Sequence, residues 1–237
     1  MWYKVNKRLI GTQQVRPSWW KPNANTVAYY PLNSNTTVND MSGNNMNLTN
    51  YSATFWIYQW VNSVNIVWDS KCILWYISSI PQWANARTFN FWTYNSNGSA
   101  TSSSWVEAYF FTGTENTNQM ILFMCSEDWA NYNRVSQYWA WSWTNFWTPK
   151  RQQWVNMCLV YDWTKFICYE NWIKKGKWTY TINTSWTKFS LWVKRNGSVS
   201  WWNKFSWYFS NFIIENKTWT DEEILSYYNQ TKSNYWL

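Results

Sequence analysis

The chain has 237 residues, of which 14% are charged, with a formal net charge of +8, no histidine, 26 tryptophans and 6 glycines. That length suits one large all-β domain or two small ones, and scarce charge with abundant Asn, Ser, Thr and Tyr argues against a helical bundle. Without histidine there is no Ser-His-Asp or Cys-His catalysis, and the commonest metal ligand is missing.

Residues 1–26 read as an N-terminal docking segment and linker, with two short strands about Gly11 and then Pro17 and Pro22. Two strands alone are marginal in water, so the segment needs a surface to dock on. Met1 to Trp20 carries early positive charge but lacks the apolar core of a secretory signal, and no stretch approaches the roughly 18 apolar residues of a membrane span. The expectation is synthesis in the cytoplasm without a signal peptide, and no membrane insertion.

From Val27 onward the chain reads as short strands separated by turn signals. The expected strands are 27–32, 47–55, 87–95, 105–112, 119–125, 133–138, 153–161, 165–170, 179–182, 188–193 and 205–215. In 87–95 Phe89, Phe91 and Thr93 share one face and Asn90, Trp92 and Tyr94 the other, the alternation of a half-buried strand. Regular short strands of this kind predict a sandwich or barrel.

One helix is expected, at 220–230. Thr220-Asp221-Glu222-Glu223 is a capping box, in which the Thr side chain accepts from the Glu223 amide and Glu223 reaches back. Acids in the first turn suit the helix dipole, and Ile224, Tyr227 and Tyr228 share the face that would lie on the sheets.

The acids show no catalytic spacing. Retaining glycosidases need two carboxylates about 5–5.5 Å apart, and on a strand that means i, i+2 or i, i+4. Glu127-Asp128 and Asp221-Glu222-Glu223 lack that spacing, and Asp69, Asp162 and Glu170 stand singly at turns and strand ends. The expectation is no enzyme and no cofactor; a structural calcium held by turn oxygens stays open, without an identified ligand set. Lys7-Arg8, Lys150-Arg151, Lys174-Lys175-Lys177 and Lys194-Arg195 read as solvated clusters, and no nucleic-acid motif accompanies them. Cys72, Cys125, Cys158 and Cys168 show no metal spacing. Cys158 and Cys168 fall on adjacent strands of one hairpin, which allows a disulfide, though buried free thiols are favoured.

The tryptophans sit where glycines belong. Asp162-Trp163-Thr164, Asn171-Trp172, Lys177-Trp178-Thr179 and Ser185-Trp186-Thr187 each put Trp after a polar, turn-favouring residue between two β-like runs. Hairpin turns need φ > 0, which glycine supplies freely and an indole-bearing residue does not. The leading explanation is a UGA codon that means glycine in some bacterial lineages and their phages, written out as tryptophan. The competing one is a surface rich in Trp for stacking on sugars. On the first reading Trp92 and Trp154, together with Trp105 and Trp219, stand as true tryptophans, and a sugar platform at Trp141 and Trp143 disappears.

With glycine at those turns, 153–172 resembles the laminin-G-like (concanavalin A-like) jelly-roll family. That family's hairpin runs Trp, alternating apolar residues, Tyr-Asp-Gly, a second strand, then Tyr-x-Asn/Asp-Gly. Here it stands as Trp154, Tyr161-Asp162-Trp163, then Tyr169 and Asn171-Trp172, with Trp92 similar to the family's early-strand Trp. The strand at 209–214 before the helix, and Ala28-Tyr29-Tyr30-Pro31-Leu32 followed by the Asp40-x-Ser42-Gly43-Asn44 turn, complete the frame over 27–237. The resemblance implies a two-sheet antiparallel jelly-roll sandwich with one short C-terminal helix. It leaves function open among lectins, adhesion modules, virion decorations and glycanases. The glucanase members' Glu-x-Asp-x-x-Glu strand is absent here. Lys4 to Pro17 is similar to short repeats of phage tail and baseplate proteins. The combined expectation is a non-enzymatic module for a glycan or cell-envelope polymer, carried on a virion through residues 1–26 or displayed at a cell surface. The alternatives are a structural assembly protein and a diverged glycan hydrolase. Contact residues and oligomeric state do not follow from the sequence.

Overall fold

The computed structural model describes residues 20–33, 38–51, 53–67, 72–76, 85–96, 106–113, 120–126, 132–136, 144–145, 150–184, 188–191 and 206–237. The predicted N-terminal strands about Gly11 lie outside them, as do Trp105, Trp141, Trp143 and Trp186.

Two antiparallel sheets make up the described fold. One has the order β13 (Ile173–Thr179), β12 (Lys165–Glu170), β11 (Trp154–Tyr161), β6 (Arg87–Asn95), β15 (Ser206–Glu215), β4 (Val61–Val67), β3 (Thr54–Tyr58), and β1 (Thr26–Tyr30) also pairs with β15. The other runs β10 (Thr144–Asn145), β9 (Tyr132–Ser136), β8 (Met120–Ser126), β7 (Val106–Gly113), β14 (Lys188–Leu191), β5 (Cys72–Tyr76), β2 (Thr49–Tyr51). The helix α1 (Asp221–Thr231) follows, and the 3-10 turn Lys232–Tyr235 ends it. This is the all-β sandwich with one short C-terminal helix expected from the sequence.

Aromatic side chains fill the space between the sheets. Phe89 and Phe91 of β6 meet Phe110 of β7 at ring-centroid distances of 4.5 and 6.2 Å, and Phe91 stacks on Phe212 at 5.2 Å. On β15 both Phe209 and Phe212 enter this core although three residues apart. A register shift between Ser210 and Ile213 makes that spacing work, with Asn211 at φ +50°.

A second core lies on the outer side of the larger sheet. Trp92, Tyr94, Trp154, Cys158 and Tyr169 pack there with Trp219, Ile224, Tyr227 and Tyr235. The strand 87–95 is therefore buried on both faces rather than half-buried, because α1 covers the side the alternation leaves open. The pleat also decides the cysteines. Leu159 pairs with Cys168 and Cys158 with Tyr169, so Cys168 points into the inter-sheet core and Cys158 toward the helix. Both are buried free thiols, and no disulfide joins them.

Several boundaries differ from the sequence expectation. The single strand at 47–55 is two, β2 and β3, which belong to different sheets. The strand expected at 179–182 is instead β13, a lysine-bearing edge strand, so Trp178 is no turn residue; its ring lies 6.0 Å from Phe166 and 4.8 Å from Tyr180. Lysines on an exposed edge discourage pairing with another chain.

The capping box forms as read. Thr220 Oγ1 accepts from Glu223 N at 3.2 Å, and Glu223 Oε2 accepts from Thr220 N at 2.9 Å. The Thr220→Ala variant is expected to lose about 1 kcal/mol in a urea titration; an unchanged midpoint would mean that packing alone holds the helix end.

Candidate functional site

The residues singled out from the sequence are brought together as framework. Tyr161 is fully buried; its hydroxyl donates to Trp163 O at 2.8 Å and accepts from Ile182 N at 3.0 Å. The Arg87 guanidinium lies 5.8 Å over the Tyr161 ring and donates to Thr184 Oγ1 at 2.9 Å and to Asn85 O at 3.0 Å. Asp162 closes the turn after β11, with Oδ1 accepting from Thr164 N, Thr164 Oγ1 and Lys165 N. Partial burial raises its carboxyl, but the bonds from Lys165 and Thr164 outweigh that and hold it below the usual carboxylate range.

At the other end of β12, Asn171 is locked to β11. Its Oδ1 accepts from Asn156 N at 2.8 Å and its N–H donates to Asn156 O at 2.9 Å. Tyr169 donates to Asp221 Oδ1 at 2.6 Å, which fastens the helix start to β12. That bond, with Lys174 at 3.3 Å, holds the Asp221 carboxyl below its ordinary value. Trp92 and Trp154 lie beneath the helix, fully or almost fully buried.

The remaining acids with described partners are engaged in the same way. Asp40 accepts from the backbone of Tyr29, Ser42 and Met46, which closes the turn at 40–45. Glu215 is fully buried, with Oε1 accepting from Asn23 Nδ2 at 2.8 Å and Thr26 Oγ1 at 3.2 Å, and Oε2 accepting from Trp219 Nε1. Glu170 lies 3.6 Å from Lys175, and Glu223 pairs with Lys217. The lysine cluster at 174–177 is thus partly neutralised by Glu170 and Asp221. Among the described residues no three His, Cys, Asp or Glu side chains gather as a metal site, and no helix is long and apolar enough to cross a membrane.

Among the described residues five tryptophans are exposed: Trp56, Trp60, Trp163, Trp172 and Trp236. Not all of them converge. Trp163 and Trp172 stand at opposite ends of β12, a six-residue strand that separates them by about 20 Å. Trp236 Nε1 donates to Gln59 O at 3.1 Å, which puts the last turn of the chain beside the β3–β4 turn on the helix side of the larger sheet. Four of the five also share an unusual backbone: φ is +65° at Trp60, +76° at Trp163, +66° at Trp172 and +63° at Trp236.

The helix occupies one outer face, so the candidate binding surface is the outer face of the seven-stranded sheet. Phe189 and Leu191 of β14 point into the core, which turns Ser190 outward, paired with Phe111 of β7. Ser190 is fully buried and Phe111 is 6% exposed, so the centre of this face is covered. No local alternation marks the centre of this face, since the outward Phe111 is as apolar as the inward Phe110 and Phe189.

By sequence, no protein-family model and no characterised protein matches the chain. By fold it is similar to domain 4 of AbnA, a GH43 extracellular arabinanase from Geobacillus stearothermophilus solved with arabinotriose, at 15% identity and a TM-score of 0.63 over 85% of this chain and 97% of that one. It is also similar to Trypanosoma rangeli sialidase in complex with sialic acid, at 11% identity and a TM-score of 0.67, over 90% of this chain and 34% of the sialidase. A third similar structure is that of botulinum neurotoxin type C, whose cell entry depends on interaction with two ganglioside molecules; identity is 12% and the TM-score 0.64, over 86% of this chain and 51% of that one. These likenesses establish a β-sandwich fold.

Proposed function

We propose that the chain is a non-enzymatic recognition module that binds a glycan or cell-envelope polymer through the seven-stranded sheet and its loops. The observation that carries this reading is the division of labour between the sheets. The helix and a second aromatic core close the outer face of the larger sheet, which leaves the other sheet, around its covered centre, to meet a ligand. Loops on a rigid scaffold are where binding residues concentrate. Similar folds solved with arabinotriose and sialic acid support carbohydrate as the ligand class. Asp40, Asp162, Glu170, Glu215, Asp221 and Glu223 each hold a turn, a helix end or a buried group, which favours binding over hydrolysis. We place the protein on a virion tail, made in the cytoplasm and anchored through residues 1–26.

The test is an array of arabinan fragments, sialylated glycans and bacterial envelope polysaccharides probed with the full chain, alongside whole-cell binding. Saturable binding to one glycan class, without release of reducing sugar, is the expected result. No binding to any glycan or envelope overturns the reading, and release of reducing ends would restore the hydrolase. Deleting residues 1–19 is expected to abolish incorporation into particles and to spare glycan binding. Lost incorporation in a protein that never bound sugar would favour a purely structural role.

A further inference from the structure

The four positive-φ tryptophans stand in backbone settings that ask for glycine, each for its own reason. β3 and β4 are joined between the pair Tyr58 and Val61 by Gln59-Trp60 alone, with φ of +47° and +65°. β12 and β13 are joined between Glu170 and Ile173 by Asn171-Trp172 alone, with φ of +48° and +66°. Both are two-residue hairpins with both central residues left-handed, the turn that selects Asn-Gly. Trp163 follows Asp162 in the turn that Asp162 caps, in the order of an Asp-Gly turn. Trp236 ends the 3-10 turn in the left-handed conformation (φ 63°, ψ 32°), and Leu237 N–H reaches back to Lys232 O at 3.3 Å, the closure that places glycine after a helix.

Aromatic bulk does not explain this distribution. The chain has 17 tyrosines and 12 phenylalanines, and among the described residues none has positive φ. Apart from tryptophan, the positive-φ residues that carry a side chain are Asn, Gln and one Leu. Among the tryptophans whose side chains are described, the exposed Trp56 on β3 and the half-buried Trp20 and Trp178 lie outside the left-handed region, and the other eight fall into two groups. Trp92, Trp154, Trp207 and Trp219 are at most 5% exposed and lie outside the left-handed region, whereas Trp60, Trp163, Trp172 and Trp236 are at least 45% exposed and lie within it. A surface built to stack on sugar would vary its rotamers, not its backbone hand. An L-residue in this region is strained by the contact between Cβ and the following carbonyl.

We infer that positions 60, 163, 172 and 236 are glycine in the protein as its own cell makes it, encoded by UGA, while Trp92, Trp154, Trp207 and Trp219 are tryptophan encoded by UGG. Two populations of one letter then share the sequence, and the backbone tells them apart. The inference is independent of the binding proposal. It does remove the exposed turn residues from any sugar platform.

Peptide mapping by mass spectrometry of the protein from its native source, beside the gene sequence, is the direct test. Glycine at all four turn positions and tryptophan at the four buried ones is expected; tryptophan at any of the four turns, or UGG in its codon, overturns the inference. A recombinant arm uses the chain as written. Trp60→Gly, Trp163→Gly, Trp172→Gly and Trp236→Gly are each expected to lower the unfolding equilibrium constant by about threefold, the relief of left-handed strain less the entropy glycine adds to the unfolded chain. Trp207→Gly is the control and is expected to raise it by more than about a hundredfold. Turn substitutions that weaken folding as the control does would also overturn the inference.

Discussion

Raising the pH from about 8 to about 11 is expected to unfold the domain, with loss of near-UV circular dichroism. Burial pushes the Cys158 thiol up to about 12 and raises Cys168 well above its usual value. Burial likewise pushes the Tyr94 phenol up to about 12 and raises those of Tyr30, Tyr161, Tyr169, Tyr208, Tyr227 and Tyr235. For each of these acids the folded state holds its proton more tightly than the unfolded state does. Below pH about 8 both states are protonated and the stability is fully present. Above that the unfolded chain ionises first, and each such group removes up to about 1.4 kcal/mol per pH unit until its folded pKa is reached. Two thiols and seven phenols acting together exceed a typical net stability of about 5–15 kcal/mol within roughly two pH units. Arg87 opposes them: burial pushes its guanidinium down to about 10, so the folded state gains as the pH passes that value. One opposing group does not offset nine. A native spectrum persisting at pH 12 would contradict the shifts.

Replacing Trp92 by Ala is expected to cost about 3–5 kcal/mol, the range for emptying a buried large aromatic. The Trp92 indole stacks on Tyr235 at 3.9 Å with 11° between the planes and on Tyr228 at 5.8 Å. Its Nε1 donates to Thr231 Oγ1 at 3.3 Å, and that hydroxyl donates in turn to Tyr227 O at 2.8 Å. One side chain of the central strand thus touches both the end of the helix and the turn after it. Hydrogen exchange should show 221–235 losing protection before the sheets do. The Trp92→Phe variant keeps the stack without the hydrogen bond and should recover more than half of the loss. Equal losses in the two variants would mean that the indole N–H, not the stack, holds the helix.

Legibility in the sequence followed local physics. The strand 87–95, the hairpin 153–170 and the helix at 220 were readable, because alternation and a capping box are short-range signals. β4 was missed although Val61, Val64 and Ile66 are spaced among Asn and Ser, because Trp60 stands at the turn where a glycine would have marked it. β13 was misplaced because its lysines break the apolar pattern of a sheet edge. The split of 47–55 between two sheets was not readable, since a chain crossing from one layer to the other leaves no local periodicity. The same holds for the candidate site. The eight residues named from the hairpin and early strand are hallmark structural positions and carry no signal for a binding surface, whereas the outer face of the seven-stranded sheet is defined by where the helix sits, a long-range fact.

β1 is the first described strand and β15 the last, and they are partners: Ala28 pairs with Ile214 and Tyr30 with Phe212. Glu215 ties Asn23 and Thr26 to Trp219 at the same end. During synthesis β1 therefore waits for its partner among the described strands until residues 206–215 have left the ribosome. Topologies closed by such distant contacts fold slowly and expose sheet edges meanwhile. Yield should depend on chaperone supply and temperature during expression more than on the stability of the finished domain, and nascent chains stalled before residue 206 should remain open to protease.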